Sequence, residues 1–463
     1  MANEIRYFCK LMESTSAIKD LKVQVTNKQI LSIALPITFA ILVPQINMLT
    51  NSIFLGNLSL EALGNAGITG VFYLIFAVAG HGLNSALQSV ISRYAGSDNP
   101  GAFKTILSQG IRISLQFALA GILVTWFVAP FILQSVADPK SYPQEMSFLR
   151  IRIFGLPFLY LFQMGNAFLV GTLNSRYLII GFVAETFINI ILDYLLIFGK
   201  FGLPQLGFNG AAIASVIAES GACLVVFMVL LKTGLTKQYQ LFQNLKYDKA
   251  KTKEVIRIAT PLVLQFTISV TTWLAFFILI ESRHDENAKA TSNTMRNIFG
   301  LAGVFVWAFS NTCNAMVSNL MGQQKEYEVL HAIKKIMLWS FGLCLSMCMI
   351  LNVFPGAFFS LFGQGPEFIK ESIPVLRMVS GGLLVMSISN IWLNGVTGTG
   401  KTRVNLLIEI VAITVYLLYT WYMVKVNYIS LAMAWSNEFV YWTVIFLMSF
   451  GFLKSGWWKT EKN

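Results

Sequence analysis

Twelve apolar runs, each long enough to cross a bilayer, leave this chain few folds to choose from. They fall roughly at 29–55, 66–93, 104–134, 148–171, 176–199 and 208–232, and then at 254–281, 290–321, 329–354, 370–397, 403–424 and 428–452. At about 1.5 Å of rise per residue, a helix of about 20 residues crosses a hydrocarbon core of about 30 Å. No water reaches the backbone there, so each run satisfies its own amides as a helix. The chain reads as an all-α integral membrane protein with about 12 transmembrane helices. Composition agrees: 12% of residues are charged, against about 25% in a soluble domain.

The net charge of +12 would point to nucleic acid on a soluble chain. Here the basic residues stand between apolar runs and set orientation instead. Residues 1–28 carry Arg6, Lys10, Lys19, Lys22 and Lys28. The segment after the sixth run holds Lys232, Lys237, Lys246, Lys249, Lys251, Lys253 and Arg257, and the C-terminal tail holds Lys454, Lys459 and Lys462. Odd-numbered loops are poorer in lysine and arginine. The positive-inside rule therefore puts both termini in the cytoplasm. Residues 1–28 lack an apolar core for a cleavable signal, and read as a cytoplasmic tail with a short interfacial helix. The five cysteines are odd in number and four lie in apolar runs, so neither a disulfide framework nor a metal site is expected. Cys344 and Cys348 stand one turn apart, with no histidine or acid near them.

The chain also repeats itself. Ile33-Ala34-Leu35-Pro36 opens the first run, and Ile258-Ala259-Thr260-Pro261 opens the seventh. Ser92 and Gly96 match Ser318 and Gly322, while Gly171-Thr172 and Arg176 match Gly398-Thr399 and Arg403. The offset stays between 225 and 227 in these pairs, and is 220 for Ala212 and Ala214 against Ala432 and Ala434. Two six-helix lobes of like orientation follow, related by a pseudo-two-fold axis. The expected organisation is a 1–28 tail, a 29–232 N-lobe, a 233–253 cytoplasmic linker, a 254–452 C-lobe and a 453–463 tail. Such halves form a cleft in which a transporter binds substrate near the midplane and rocks to alternate access.

A carboxylate at the bilayer centre costs about 2.5–3.5 kcal/mol on insertion scales, so acids there face a cavity or a partner. Glu185, Asn189 and Asp193 on the fifth span are spaced i, i+4, i+8. They drift only about 80° and form one stripe about 12 Å long. Ser215 and Glu219 stand one turn apart on the sixth span. A carboxylate withdrawn from water can bind and release a proton near neutral pH. The stripe therefore suggests a proton or cation site, with sodium at Asp193 the one metal considered. The alternative is a set of structural hydrogen bonds, and for Glu185 a pairing with Arg176. The segment 411–424 reads VAITVYLLYTWYMV without an acid, and the seventh span has acids only at its ends, Glu254 and Glu281. Deep negative charge is thus expected in the first half alone.

Gln45, Asn47, Asn51 and Ser52 give the first span a polar edge, and His81 and Asn84 lie inside the second. Gln45, Ser52, His81 and Asn84 are candidates for a substrate cleft; a lone histidine is as readily a packing residue. Pro36 and Pro44 remove backbone donors and can kink the first helix, as a switch or as a static bend. Some of the 37 Phe, 15 Tyr and 10 Trp could line a cleft for cations. Others, Trp457 and Trp458 among them, would sit at the interface. Gly398-Thr399-Gly400-Lys401-Thr402 ends like a P-loop but lacks the upstream glycine and a preceding strand. No cofactor, no nucleotide and no catalytic set is expected; energy would come from an H+ or Na+ gradient.

Several stretches resemble a known family. NSIFLGNLSLEALGNAG at 51–67, GHGLNSALQSVISRYAGSDNPGAFKTILSQG at 80–110 and NIILDYLLIFGKFGLPQLGFNGAAIASVIAE at 189–219 resemble multidrug and toxic compound extrusion (MATE) transporters, in their DinF-like branch. The likeness covers most of 29–452. It implies a V-shaped twelve-helix antiporter that exchanges protons or sodium for organic, often cationic, substrates. In that branch the coupling site pairs an aspartate on span one with one on span five, beside an asparagine and a hydroxyl on span six. Asp193, Asn189 and Ser215 fall at three of those positions. The span-one Asp-Thr is here Asn51-Ser52, which cannot titrate, and Glu185 is the acid able to compensate. The C-lobe acids of the NorM-like branch are missing, with Ser269 near the span-seven position. The resemblance implies a monomeric multi-pass protein of the bacterial inner membrane. Its partners would be lipid and small organic substrates, and nucleic acid is not among them. A lipid-linked oligosaccharide or lipid flippase, which would need a more cationic cleft, and a weakly coupled uniporter remain as alternatives.

Overall fold

The computed structural model describes residues 20–136, 139–243, 245–281, 286–360, 366–426 and 430–459. Among these the chain is all helical, and twelve helices are long and apolar enough to cross a membrane. The first six are Asn27–Leu58, Asn65–Gly96, Pro100–Phe127, Tyr142–Gly171, Ser175–Phe198 and Phe208–Lys232. The next six are Lys249–Trp273, Thr294–Gly322, Glu326–Val353, Pro366–Gly398, Thr402–Val424 and Leu431–Ser455. The expected fold class holds. The interfacial helix expected before residue 28 falls mostly outside the described residues, and 20–26 carry no regular structure. The first helix runs unbroken through Pro36 and Pro44. Large apolar side chains such as Phe127, Phe131, Leu224 and Val353 point outward, as a lipid-facing surface requires.

The helices gather into two compact units. The first contains Phe39–Val263, and the second Gln24–Thr38 with the chain from Leu264 onward. Residues 27–38 of the first span thus count with the second unit, and residues 249–263 of the seventh with the first.

The internal repeat is visible in the packing. The second span packs on the fourth and the fifth on the sixth; the eighth packs on the tenth and the eleventh on the twelfth. At two of these crossings a glycine lets the helices close up. A Cβ on Gly171 would lie 2.7 Å from Ile91 Cγ2, and one on Gly398 would lie 2.6 Å from Val317 Cβ. These glycines match at the repeat offset, and so do Ile91 and Val317. The turns that follow repeat as well. Asp98 and Gln324 both take left-handed backbone, at φ 58° and 60°. Leu173 and Gly400 do the same, at φ 59° and 81°. A left-handed residue stops a helix by turning the chain away from its axis. The glycine in the P-loop-like stretch is therefore a packing and turn device, with Ser318 Oγ donating to the Gly398 carbonyl at 3.1 Å.

Each unit has its own interior. In the second, Phe276, Phe299, Tyr416, Trp435, Tyr441 and Trp442 belong to one large buried cluster. In the first, Leu55, Ala62, Ile197, Phe208 and Ala211 pack between the first two spans and the fifth and sixth. Cys223, Cys313, Cys344 and Cys348 are free thiols, and Cys344 and Cys348 donate to the Leu383 and Ser380 carbonyls. Trp458, expected at the interface, is buried and donates to the Leu453 carbonyl at 2.7 Å, while Trp457 is exposed.

Candidate functional site

The stripe on the fifth span forms as its spacing requires, on a regular helix from Leu178 to Phe198 that stops at Gly199, φ 64°. Asp193 is 0% exposed and Asn189 is 2% exposed. Neither oxygen of Asp193 has a hydrogen-bond partner. One turn away, Asn189 Oδ1 accepts from Asn47 Nδ2 at 2.7 Å, which ties the fifth span to the first. The remaining polar atoms of this patch lack partners too: Asn47 Oδ1, Asn189 Nδ2 and Asn51 Oδ1 are buried and unbonded. More than nine in ten buried polar groups find a partner in a folded protein. A group of five unsatisfied atoms on two facing helices is thus a concentrated exception.

Glu219 on the sixth span shows the opposite condition. It is buried, and Arg152 on the fourth span grips it with two nitrogens, Nη1 at 2.8 Å and Nη2 at 2.6 Å. The guanidinium also stacks on the ring of Tyr73, 3.7 Å from its centroid, and the Tyr73 hydroxyl donates to Glu219 at 3.1 Å. Local sequence builds this clamp. Pro157 restarts the fourth span after a tight turn at Ile153–Gly155. Gly155 there leaves room for the carboxylate: a Cβ would come within 2.0 Å of Glu219 Oε2. Arg152 and Tyr73 are partners of Glu219 that sequence reasoning missed. Arg152 stands near the start of an apolar run, where a cation looks like an interfacial anchor.

The other candidates divide. Glu185 is half-buried, within electrostatic reach of Glu219 and Arg152. It does not pair with Arg176, whose guanidinium donates to the Tyr177 hydroxyl at 2.8 Å. Ser215 is half-buried and does not bond to Asp193. Ser52 is exposed and returns its hydroxyl to the Met48 carbonyl at 2.9 Å, so the first-span hydroxyl is spent on its own helix. Gln45 and His81 are half-buried, and Asn84 keeps a buried, unbonded Oδ1.

The expected confinement of deep acids to the first half is wrong. Glu409 on the eleventh span and Glu438 on the twelfth are 1% and 2% exposed, in the second unit. Glu409 lies two residues before the stretch read as acid-free, and Glu438 stands near the start of its helix. Hydropathy places both toward helix ends; neighbouring helices bury them.

Two separate stretches of the chain, 36–195 and 261–422, match the MatE family model, one in each half. The chain belongs to the MatE family. MatE proteins are transporters, not enzymes. A probable multidrug resistance protein NorM of Thermotoga maritima is 22% identical over 418 residues, 88% of this chain and 88% of its own length. A second, from Agrobacterium fabrum, is 22% identical over 323 residues, 70% of this chain and 67% of its own. Among solved structures, an outward-facing multidrug resistance MATE transporter of the MOP superfamily aligns with TM-score 0.84 at 16% identity, over 96% of this chain and 99% of that one. A MOP superfamily transporter from Pyrococcus furiosus, described as having a binding pocket of reverse polarity, aligns with TM-score 0.82 at 17% identity, over the same shares. These structures share the fold with this MatE protein.

Proposed function

We propose that this MatE protein is an ion-coupled antiporter that exports amphipathic, often cationic, organic compounds, with Asp193 as its coupling carboxylate. One observation carries this reading: a wholly buried carboxylate with no hydrogen bond to either oxygen. An ionised carboxylate in that setting is expensive, and it is neutralised by taking a proton or a compact cation. Opening its surroundings to water on one side lets the ion leave. The bond between Asn47 and Asn189 connects that charge change to the first span. Pro36 and Pro44 leave that span with missing backbone bonds and room to bend. The names of the relatives, multidrug resistance proteins, support organic substrates. Glu185, on the same stripe, supplies the second acid that Asn51 does not. Both termini lie in the cytoplasm of a bacterial inner membrane in this reading, and the two lobes alternate access as a monomer.

The test is dye efflux from proteoliposomes under an imposed pH or sodium gradient. Efflux that follows one gradient names the coupling ion. Equal efflux with and without any gradient overturns coupling and leaves a uniporter or a flippase.

A further inference from the structure

The first unit carries a groove that the reading above does not use. Its volume is about 370 Å3, and Trp126, Arg150, Phe154, Ile213 and Ile217 are among the residues that line it. Trp126 stands at the end of the third span, Arg150 near the start of the fourth and Ile213 near the start of the sixth. The mouth therefore lies at one end of these helices, at the level where membrane proteins place tryptophan. Phe154 and Ile217 follow Arg150 and Ile213 by four residues, so the groove runs about 6 Å deeper along both helices. Trp126, Phe154 and Ile217 are exposed. Leu123 and Leu224, one and two turns away on the same helix faces, are exposed and apolar as well, so the groove opens on the lipid-facing surface.

Arg150 is the one charged residue in the lining. Its guanidinium lies over the ring of Trp126, 5.1 Å from the centroid, and Trp126 meets Phe154 edge to face with centroids 6.3 Å apart. Two rings thus hold the cation at the mouth. Among the described residues no acid ion-pairs with Arg150, whereas Arg152, two residues on, is engaged by Glu219. Stacking uses a face of the guanidinium and leaves its in-plane N–H donors for an anion, and a phosphate takes two of them at once. The same charge repels the organic cations of the transport reading. Charge at the rim and an apolar floor together select an anionic amphiphile.

We propose that this groove is a binding site for an anionic phospholipid, with its phosphate on Arg150 and one acyl chain laid between Phe154 and Ile217. A zwitterionic lipid carries its own amine beside the phosphate and gains less from the arginine. The bound lipid lies across the third, fourth and sixth spans beside the tight turn at Ile153–Gly155, and so steadies the fourth span where its helix is interrupted. The site needs no substrate and does not rest on the role of Asp193.

The test titrates purified full-length protein in detergent with phosphatidylglycerol or phosphatidylcholine of equal chain length. Native mass spectrometry counts the lipid retained, and Tm reports the stabilisation it brings. The expected result is a phosphatidylglycerol held more tightly than phosphatidylcholine, with a Tm that rises with its concentration. Arg150→Gln, at an exposed position, weakens phosphatidylglycerol binding about fivefold and leaves phosphatidylcholine unchanged. Ile217→Trp keeps the cation but fills the groove, and loses that lipid. The Tm in lipid-free detergent reports whether each variant is folded. Phosphatidylglycerol retained as in wild type by folded Arg150→Gln protein overturns the site, and so does unchanged retention by folded Ile217→Trp protein. Equal retention of both lipids by wild type overturns it too. Oleate that binds where phosphatidylglycerol does not would give the groove to a single-chain anion and overturn the phospholipid.

Discussion

Asp193 and Glu219 are buried carboxylates on neighbouring spans of one unit, in opposite electrostatic states. Glu219 has a bidentate arginine, a tyrosine hydroxyl and a glycine notch made to its shape. Asp193 has no hydrogen bond to either oxygen. A paired acid keeps its charge and its geometry, so it holds helices together. An unpaired one changes state whenever an ion becomes available. In the proposed reading the paired Glu219 belongs to the scaffold and the unpaired Asp193 to transport.

That contrast breaks most visibly at Arg152. Arg152→Ala leaves Glu219 buried without its cation, and should cost about 3–5 kcal/mol of stability, seen as a large fall in Tm. Gly155→Ala pushes a methyl into the carboxylate and should cost about 1–3 kcal/mol, read by the same scan; no change in Tm would mean that the pair can move aside freely. Asn47→Ala removes one neutral bond, to Asn189, and should cost about 1 kcal/mol. It should weaken gradient dependence as well, because the tie to the first span is gone. Asp193→Asn should cost least, with no fall in Tm, since no hydrogen bond is lost and a buried carboxylate gives way to a neutral amide of the same shape. A large fall in Tm there would show hidden partners for Asp193 and close the gap between the two acids.

Most of the fold was legible from hydropathy, because lipid imposes length and apolarity on each helix independently. The repeat was legible too, since Gly171 and Gly398 sit where backbone contact leaves no room for a side chain. The stripe of Glu185, Asn189 and Asp193 followed from helical spacing alone. The rest depends on which neighbour covers which face. Nothing local announces that Arg152 turns inward to Glu219. Nor does it show that Glu409 is covered by the seventh and twelfth spans, and Glu438 by the seventh. Ser52 misled in the other direction: a polar residue on the right edge of a helix, with its hydroxyl returned to its own backbone.

The most direct measurement sets the two acids side by side in transport. Proteoliposomes carrying wild type, Asp193→Asn or Glu219→Gln are loaded with a fluorescent organic cation, and efflux is followed with and without the driving gradient. The account predicts that Asp193→Asn loses the gradient-driven component altogether. Folded Glu219→Gln protein should keep its gradient dependence at a reduced rate. Gradient-driven efflux that survives in Asp193→Asn and vanishes in folded Glu219→Gln would contradict it.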